Sequence, residues 1–208
     1  MENYKNAWYD TERIPLEMVK GARAELEGFK KLEESEHFTV LDSLIKKVNP
    51  SSICDIGCGA GEISRIYPDL KFLGLDLPHI IEKVASVVNP GKKYMVFDAN
   101  TQEDFSFLRE YDLLIMNGFI SELENPIGFI EKLIDQYKGN IIIHRQDLTE
   151  SNTFLEEYNS YGGLKTTNSQ INTAEIYNVC EKNGYEIICI ENSGISDCEK
   201  KTILIKTK

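Results

Sequence analysis

The chain has 208 residues, 41% hydrophobic and 27% charged, which suits one domain with a full core and leaves no run of transmembrane length. Its net charge of -11, from 23 basic and 34 acidic residues, argues against a nucleic-acid substrate, because binding a phosphate backbone relies on a Lys/Arg surface that releases counterions. The start, Met1 to Asn6, lacks the apolar stretch of a signal peptide and the five cysteines form no C-x-x-C pair, so a cytoplasmic protein with reduced thiols and no membrane partner is expected.

Residues 15–34 read as a polar helix with Pro15 in its first turn, and 37–48 as a second, with Phe38, Leu41, Leu44, Ile45 and Val48 at helical spacing. A strand at 52–56 leads into a glycine-rich turn and a short helix that stops near Tyr67-Pro68. A second strand ends at Asp76, Pro78 opens a helix to about Val87, and a third strand at 93–97 is closed by Asp98. Thr101 and Asp104 have the cap spacing of a short helix. Tyr111 to Met116 is a continuous apolar run, as a strand buried on both faces should be. Asn125-Pro126 starts a helix through Tyr137, and 140–144 is a fifth strand. The polar segment 146–172 reads as a loop with at most a short helix. A helix at 173–183 ends at Gly184, and strands at 185–191 and 201–206 follow with no helix between them. Such a pair should run antiparallel, since a parallel partner would need a crossover.

The stretch Ile53-Cys54-Asp55-Ile56-Gly57-Cys58-Gly59-Ala60-Gly61 carries the chemistry. An apolar strand delivers Asp55, and three glycines then leave the backbone bare where it must turn or lie against a ligand. Asp76 ends the next strand about 20 residues on, placed to bond the hydroxyls of a ribose. A dinucleotide fingerprint would read G-x-G-x-x-G; here the spacing is G-x-G-x-G, with Asp55 before it and Glu62 after. Negative charge on both sides would repel a pyrophosphate but suits a cationic ligand with an amino group.

The run Asp-Ile-Gly-Cys-Gly-Ala-Gly-Glu closely resembles the first motif of class I S-adenosylmethionine (SAM)-dependent methyltransferases, whose cofactor carries a sulfonium and an ammonium. With the alternation of elements, the resemblance implies an α/β fold. It is a doubly wound, mostly parallel seven-stranded sheet with an antiparallel last strand, plus an N-terminal helical segment. Residues 37–208 would form the SAM-binding domain and 1–36 a helical segment that is a candidate lid. By the resemblance, Gly57, Cys58, Gly59 and Gly61 pass beneath the methionine part of SAM, and Asp55 orders the loop and its amino-group contacts. Asp76 takes the ribose hydroxyls and Leu77 packs on the adenine. Asp98 accepts from the adenine amino group, the backbone of Ala99 touches the ring, and Asn117 and Gly118 meet the methionine end.

The acceptor site is less specific. His144 ends the fifth strand and is the first candidate for a general base; Arg145 beside it could grip a carboxylate or phosphate. The alternatives are a histidine satisfying backbone groups at the strand edge and a surface ion pair. His37 and His79 are expected on helices away from the pocket. Asn117, Glu122, Glu124 and Asp147 match no metal set, so no metal is assigned. Trp8, with Tyr4 and Tyr9, forms an aromatic group suited to cover the site, against a reading as ordinary edge packing. Tyr158 and Tyr161 lie in the segment after the fifth strand, where this family often builds substrate pockets. The reading is methyl transfer from SAM to oxygen or nitrogen of a small polar molecule, anionic acceptors included, with the oligomeric state open. The alternative is a SAM-binding module or partner subunit without catalysis of its own.

Overall fold

The computed structural model describes residues 7–27, 35–159, 163–194 and 199–208. Its centre is a seven-stranded sheet in the order β3-β2-β1-β4-β5-β10-β9. The strands are β1 (Ser52–Ile56), β2 (Lys71–Asp76), β3 (Tyr94–Val96), β4 (Leu113–Asn117), β5 (Asn140–Gln146), β9 (Tyr185–Asn192) and β10 (Lys201–Thr207). β1 to β5 pair in parallel, and β10 runs antiparallel to both β5 and β9. The doubly wound α/β architecture and its antiparallel last strand are therefore those expected. The strand order reverses between β1 and β4, the switch point where ligands bind outside the carboxyl ends of the strands.

Side-chain alternation splits the core across the sheet. Ile53, Leu113, Ile115, Ile142 and Leu204 face the α2 helix (Glu36–Val48), meeting Phe38, Leu41, Leu44 and Ile45. Cys54, Ile56, Leu114, Met116, Ile141 and Ile143 face the other way, against the helices Pro126–Gln136 and Thr173–Lys182. The first of these starts as its sequence dictates: Asn125 Oδ1 accepts from the Gly128 N–H at 3.0 Å, with Pro126 in the first turn.

The N-terminal helix α1 (Arg13–Glu27) packs through Ile14 and Ala22 with Ala60, Ile80 and Val84, on the glycine loop and the helix over 78–88. That helix contains a π turn at Ile81–Ala85. The rest of the segment 28–34 lies outside the described residues. No helix among the described residues is long and apolar enough to cross a membrane.

The expectation of a loop over 146–172 needs correction. β6 (Leu148–Thr149), β7 (Phe154–Asn159) and β8 (Lys165–Asn172) form a second sheet, in the order β6-β8-β7, with β7 and β8 antiparallel. The hydrophobic pattern hides it because β8 buries the polar groups Thr166, Thr167, Asn168 and Ser169 and only Ile171 among apolar ones. They are paired: Ser169 Oγ donates to Ile120 O at 3.2 Å, and Asn168 Nδ2 to Asp147 Oδ2 at 3.0 Å.

Candidate functional site

The turn after β1 is built on left-handed backbone. Gly57, Gly59 and Gly61 have φ of 74°, 52° and 74°, a region closed to most L-residues. The Gly57 and Cys58 N–H groups donate to Leu75 O at 2.8 and 3.0 Å, stitching the turn to β2. A Cβ on Gly57 would collide with the Phe119 ring, and one on Gly61 would lie 2.5 Å from the Tyr94 hydroxyl. The Gly59 N–H donates to Asp76 Oδ2 at 2.9 Å, and the Leu77 N–H to Asp76 Oδ1 at 2.8 Å. Asp76 is thereby held at the mouth of the turn. Burial pushes its carboxyl up to about 6 against these two donors.

A cavity of about 260 Å³ opens at the carboxyl ends of the parallel strands. From the glycine loop, Gly57, Cys58 and Gly59 line it; from β2 and its end, Asp76 and Leu77. Asp98 and Ala99 after β3, Asn117 and Gly118 after β4, and Arg145 of β5 complete that wall. Trp8 and Tyr9 line it from the N-terminal side, with Met18 and Ala22 of α1. Asp55 and Gly61 are not at the surface of the cavity. Asp55 is 2% exposed beneath the loop, and its Oδ1 has no hydrogen-bond partner among the described residues. Burial, then the charges of Asp76 and Glu62, push its carboxyl up to about 8.

The lining is acidic. Among the described residues of the lining, Glu62, Asp76, Asp98 and Glu122 stand against a single arginine, Arg145, and no lysine. Such a wall favours a cationic ligand and disfavours a pyrophosphate. Among the described residues, no group of three His, Cys, Asp or Glu side chains could hold a metal ion.

Arg145 is held in an uncommon backbone state for a non-glycine residue, φ 60°. It lies where the β5–β10 register shifts between Lys201 and Ile203, a bulge of the kind that re-aims a side chain. Its Nε donates to Asn117 Oδ1 at 2.7 Å, and its guanidinium lies over Gly118, where a Cβ would come 2.7 Å from Nη2.

His144 does not line the cavity. It is 1% exposed, with Nδ1 2.7 Å from Thr202 Oγ1 and Nε2 3.4 Å from His37 Nδ1. Burial, then Arg145 and His37, hold its imidazole down to about 3. His37 sits in the first turn of α2 and lines the cavity, which corrects the expectation that this helix keeps it away. Burial, then Arg145, hold it down to about 4. His79 stays out of the cavity as expected, buried, with Nε2 2.8 Å from Trp8 O.

Glu122 is the residue that sequence reasoning undervalued. It closes the short turn Ile120–Glu122 after β4, and its carboxylate accepts from Trp8 Nε1 at 2.5 Å, Tyr158 Oη at 2.7 Å and Thr166 Oγ1 at 2.9 Å. Burial outweighs these donors and raises its proton affinity. Tyr158, on β7, does not itself line the cavity and reaches it only through Glu122. Asp98 is engaged in a similar way, accepting from Tyr9 Oη at 3.1 Å and from the Asn100 N–H at 3.0 Å. Tyr4 and Tyr161 lie outside the described residues.

No protein-family model and no curated protein matches the chain. Solved structures do. Streptomyces venezuelae DesVI superposes with a TM-score of 0.62 at 13% identity, over 91% of this chain and 97% of that one. SAM-bound CalS10, an amino pentose methyltransferase from Micromonospora echinaspora, gives 0.61 at 12% identity over 89% and 96%. A SAM-dependent methyltransferase from Mesorhizobium loti gives 0.61 at 14% identity over 84% and 99%. The likeness at these identities is one of architecture: the chain has the Rossmann-like fold of the SAM-dependent methyltransferases.

Proposed function

We propose that the chain is a methyltransferase that binds SAM in this cavity and methylates oxygen or nitrogen of a small polar molecule carrying an anionic group. The observation that carries the reading is the coincidence of the acid-flanked glycine turn with Asp76 and Asp98 on one acidic cavity at the switch point. The residues fit the cofactor by charge and by shape: the cavity wall is acidic, as suits a sulfonium and an ammonium, and the turn needs glycine at each left-handed position. When bound, SAM supplies a methyl carbon already activated by the sulfonium.

In this reading Asp76 takes the ribose hydroxyls, Asp98 and Leu77 the adenine, and Asn117 and Gly118 border the methionine end. Trp8, Tyr9 and α1 act as a lid that excludes water. Arg145 binds the anionic group and so fixes the acceptor atom near the methyl carbon, which is most of what such a displacement asks of a protein. CalS10 acts on an amino pentose, and a polar acceptor of that kind bearing a carboxylate or phosphate fits the reading.

The test is transfer of a labelled methyl group from SAM to a panel of small alcohols and amines, with and without a carboxylate or phosphate. Methylation restricted to anionic members supports the reading. SAM binding with no transfer to any member would favour a binding module or partner subunit.

A further inference from the structure

Three side chains from three elements form a chain behind the cavity wall: His37 of α2, His144 of β5 and Thr202 of β10. His144 shares the parity of Ile142, and Thr202 that of Leu204, so both face α2. His37 Nδ1 lies 3.4 Å from His144 Nε2, and His144 Nδ1 lies 2.7 Å from Thr202 Oγ1. His144 and Thr202 are 1% and 0% exposed, while His37 lines the cavity. His37 Nε2 makes no hydrogen bond with the described residues.

Neutral imidazoles carry one proton each, so the facing nitrogens couple the two tautomers. If His37 Nδ1 holds the bridging proton, His144 Nε2 must be bare, and His144 Nδ1–H then donates to Thr202 Oγ1. His37 Nε2 is left with a lone pair open to the cavity. The opposite arrangement places an N–H there. Arg145 is the charged group acting on His37, and its positive field disfavours a second proton on the ring.

We propose that His37 Nε2 receives the proton of the acceptor substrate, and that His144 and Thr202 are positioning residues that keep this nitrogen bare. The proposal rests on the methyl-transfer reading above. In the step, the acceptor's O–H or N–H bond breaks, its proton joins His37 Nε2, and its electron pair forms the bond to the methyl carbon. The pair of the broken carbon–sulfur bond stays on sulfur.

The arrangement also couples the base to the substrate. His144 and Arg145, both on β5, are the titratable and charged groups that face His37 among the described residues. Without an anion, burial and Arg145 hold the ring at about 4, too weak a base for the task. Burial, the larger cause, remains; a carboxylate or phosphate on Arg145 offsets the smaller one and so strengthens the base when the substrate is present.

Nitrogen NMR of the histidine rings in the full chain at pH 7 tests this, with His37→Gln to assign the signals. The expected result is His37 protonated on Nδ1 and bare on Nε2. Thr202→Val, nearly the same volume, should produce a detectable Nε2–H population at His37, and Thr202→Ser should restore the native pattern. Inorganic phosphate should raise the titration midpoint of His37 in the native protein but not in Arg145→Gln. With an acceptor in hand, His37→Gln should lower kcat by about 10²–10⁴ without changing the SAM Kd. A His37 ring protonated on Nε2, or one indifferent to Thr202→Val, would overturn the relay while SAM binding stood. A native chain that fails to bind SAM would instead overturn the function proposed above.

Discussion

Trp8 and Glu122 are joined by a hydrogen bond of 2.5 Å from the indole N–H to the carboxylate, although 114 residues separate them. Tyr158 and Thr166 donate to the same carboxylate, so one half-buried acid ties the N-terminal segment to the β7–β8 hairpin at the edge of the cavity. The Trp8 carbonyl on His79 and Tyr9 on Asp98 fix the same segment. Trp8→Phe keeps the ring bulk but leaves a half-buried carboxylate short of a donor, a cost of about 1 kcal/mol. We expect faster amide exchange across 7–27 and weaker SAM binding. Native exchange in that segment would show that the contact does not hold it.

Asp76→Ala should abolish SAM binding, a loss of about 100-fold or more in Kd. It removes the proposed ribose acceptor and also strands the Gly59 and Leu77 N–H groups that shape the turn. Calorimetry checks it, and a variant that binds as the native chain does would refute the assignment of Asp76.

Stability should depend on pH through Asp55. Its carboxyl is raised to about 8, so the proton it holds in the folded state stabilises the fold fully below its ordinary value of 3.8, and that contribution is lost as pH rises through 8. His37 and His144 work the other way, lowered to about 4 and about 3, so their neutral burial costs stability as pH falls below 6.5. Asp76, raised to about 6, shares the sign of Asp55 but acts lower. Between pH 6.5 and 8 Asp55 therefore dominates. The expected loss across that window is about 2 kcal/mol, or roughly 5 °C in Tm, and Asp55→Asn should flatten it.

Arg145→Gln should raise KM for anionic acceptors by about 10–100-fold and leave the SAM Kd within about twofold, because in the proposed binding mode the guanidinium meets the acceptor rather than the nucleoside. Steady-state kinetics on paired anionic and neutral acceptors would show it. An equal effect on both would remove the anion-binding role.

The sheet was legible because β1, β2 and β4 are apolar runs that end in chemistry-bearing residues. Asp76, Asp98 and Asn117 follow strand ends, and the methyltransferase resemblance together with that position put them on one cavity, which all three line. The β7–β8 hairpin was not, since β8 is held by hydrogen bonds of buried Thr, Asn and Ser side chains that leave no alternating apolar pattern. The Glu122 cluster joins residues 36, 44 and 114 positions away, a pairing that local spacing does not carry. Arg145 takes a left-handed backbone without being glycine, so nothing in its residue type announces the bulge that aims it. His37 needed the packing of α2 on β5 to appear at the cavity wall at all.

Whether this acidic cavity binds SAM is decided by calorimetric titration of the native chain with SAM, its demethylated product and NAD. Micromolar binding of the first two, one site per chain, and no heat from NAD are expected. Binding of NAD, or silence with both SAM-type ligands, would contradict the proposed function.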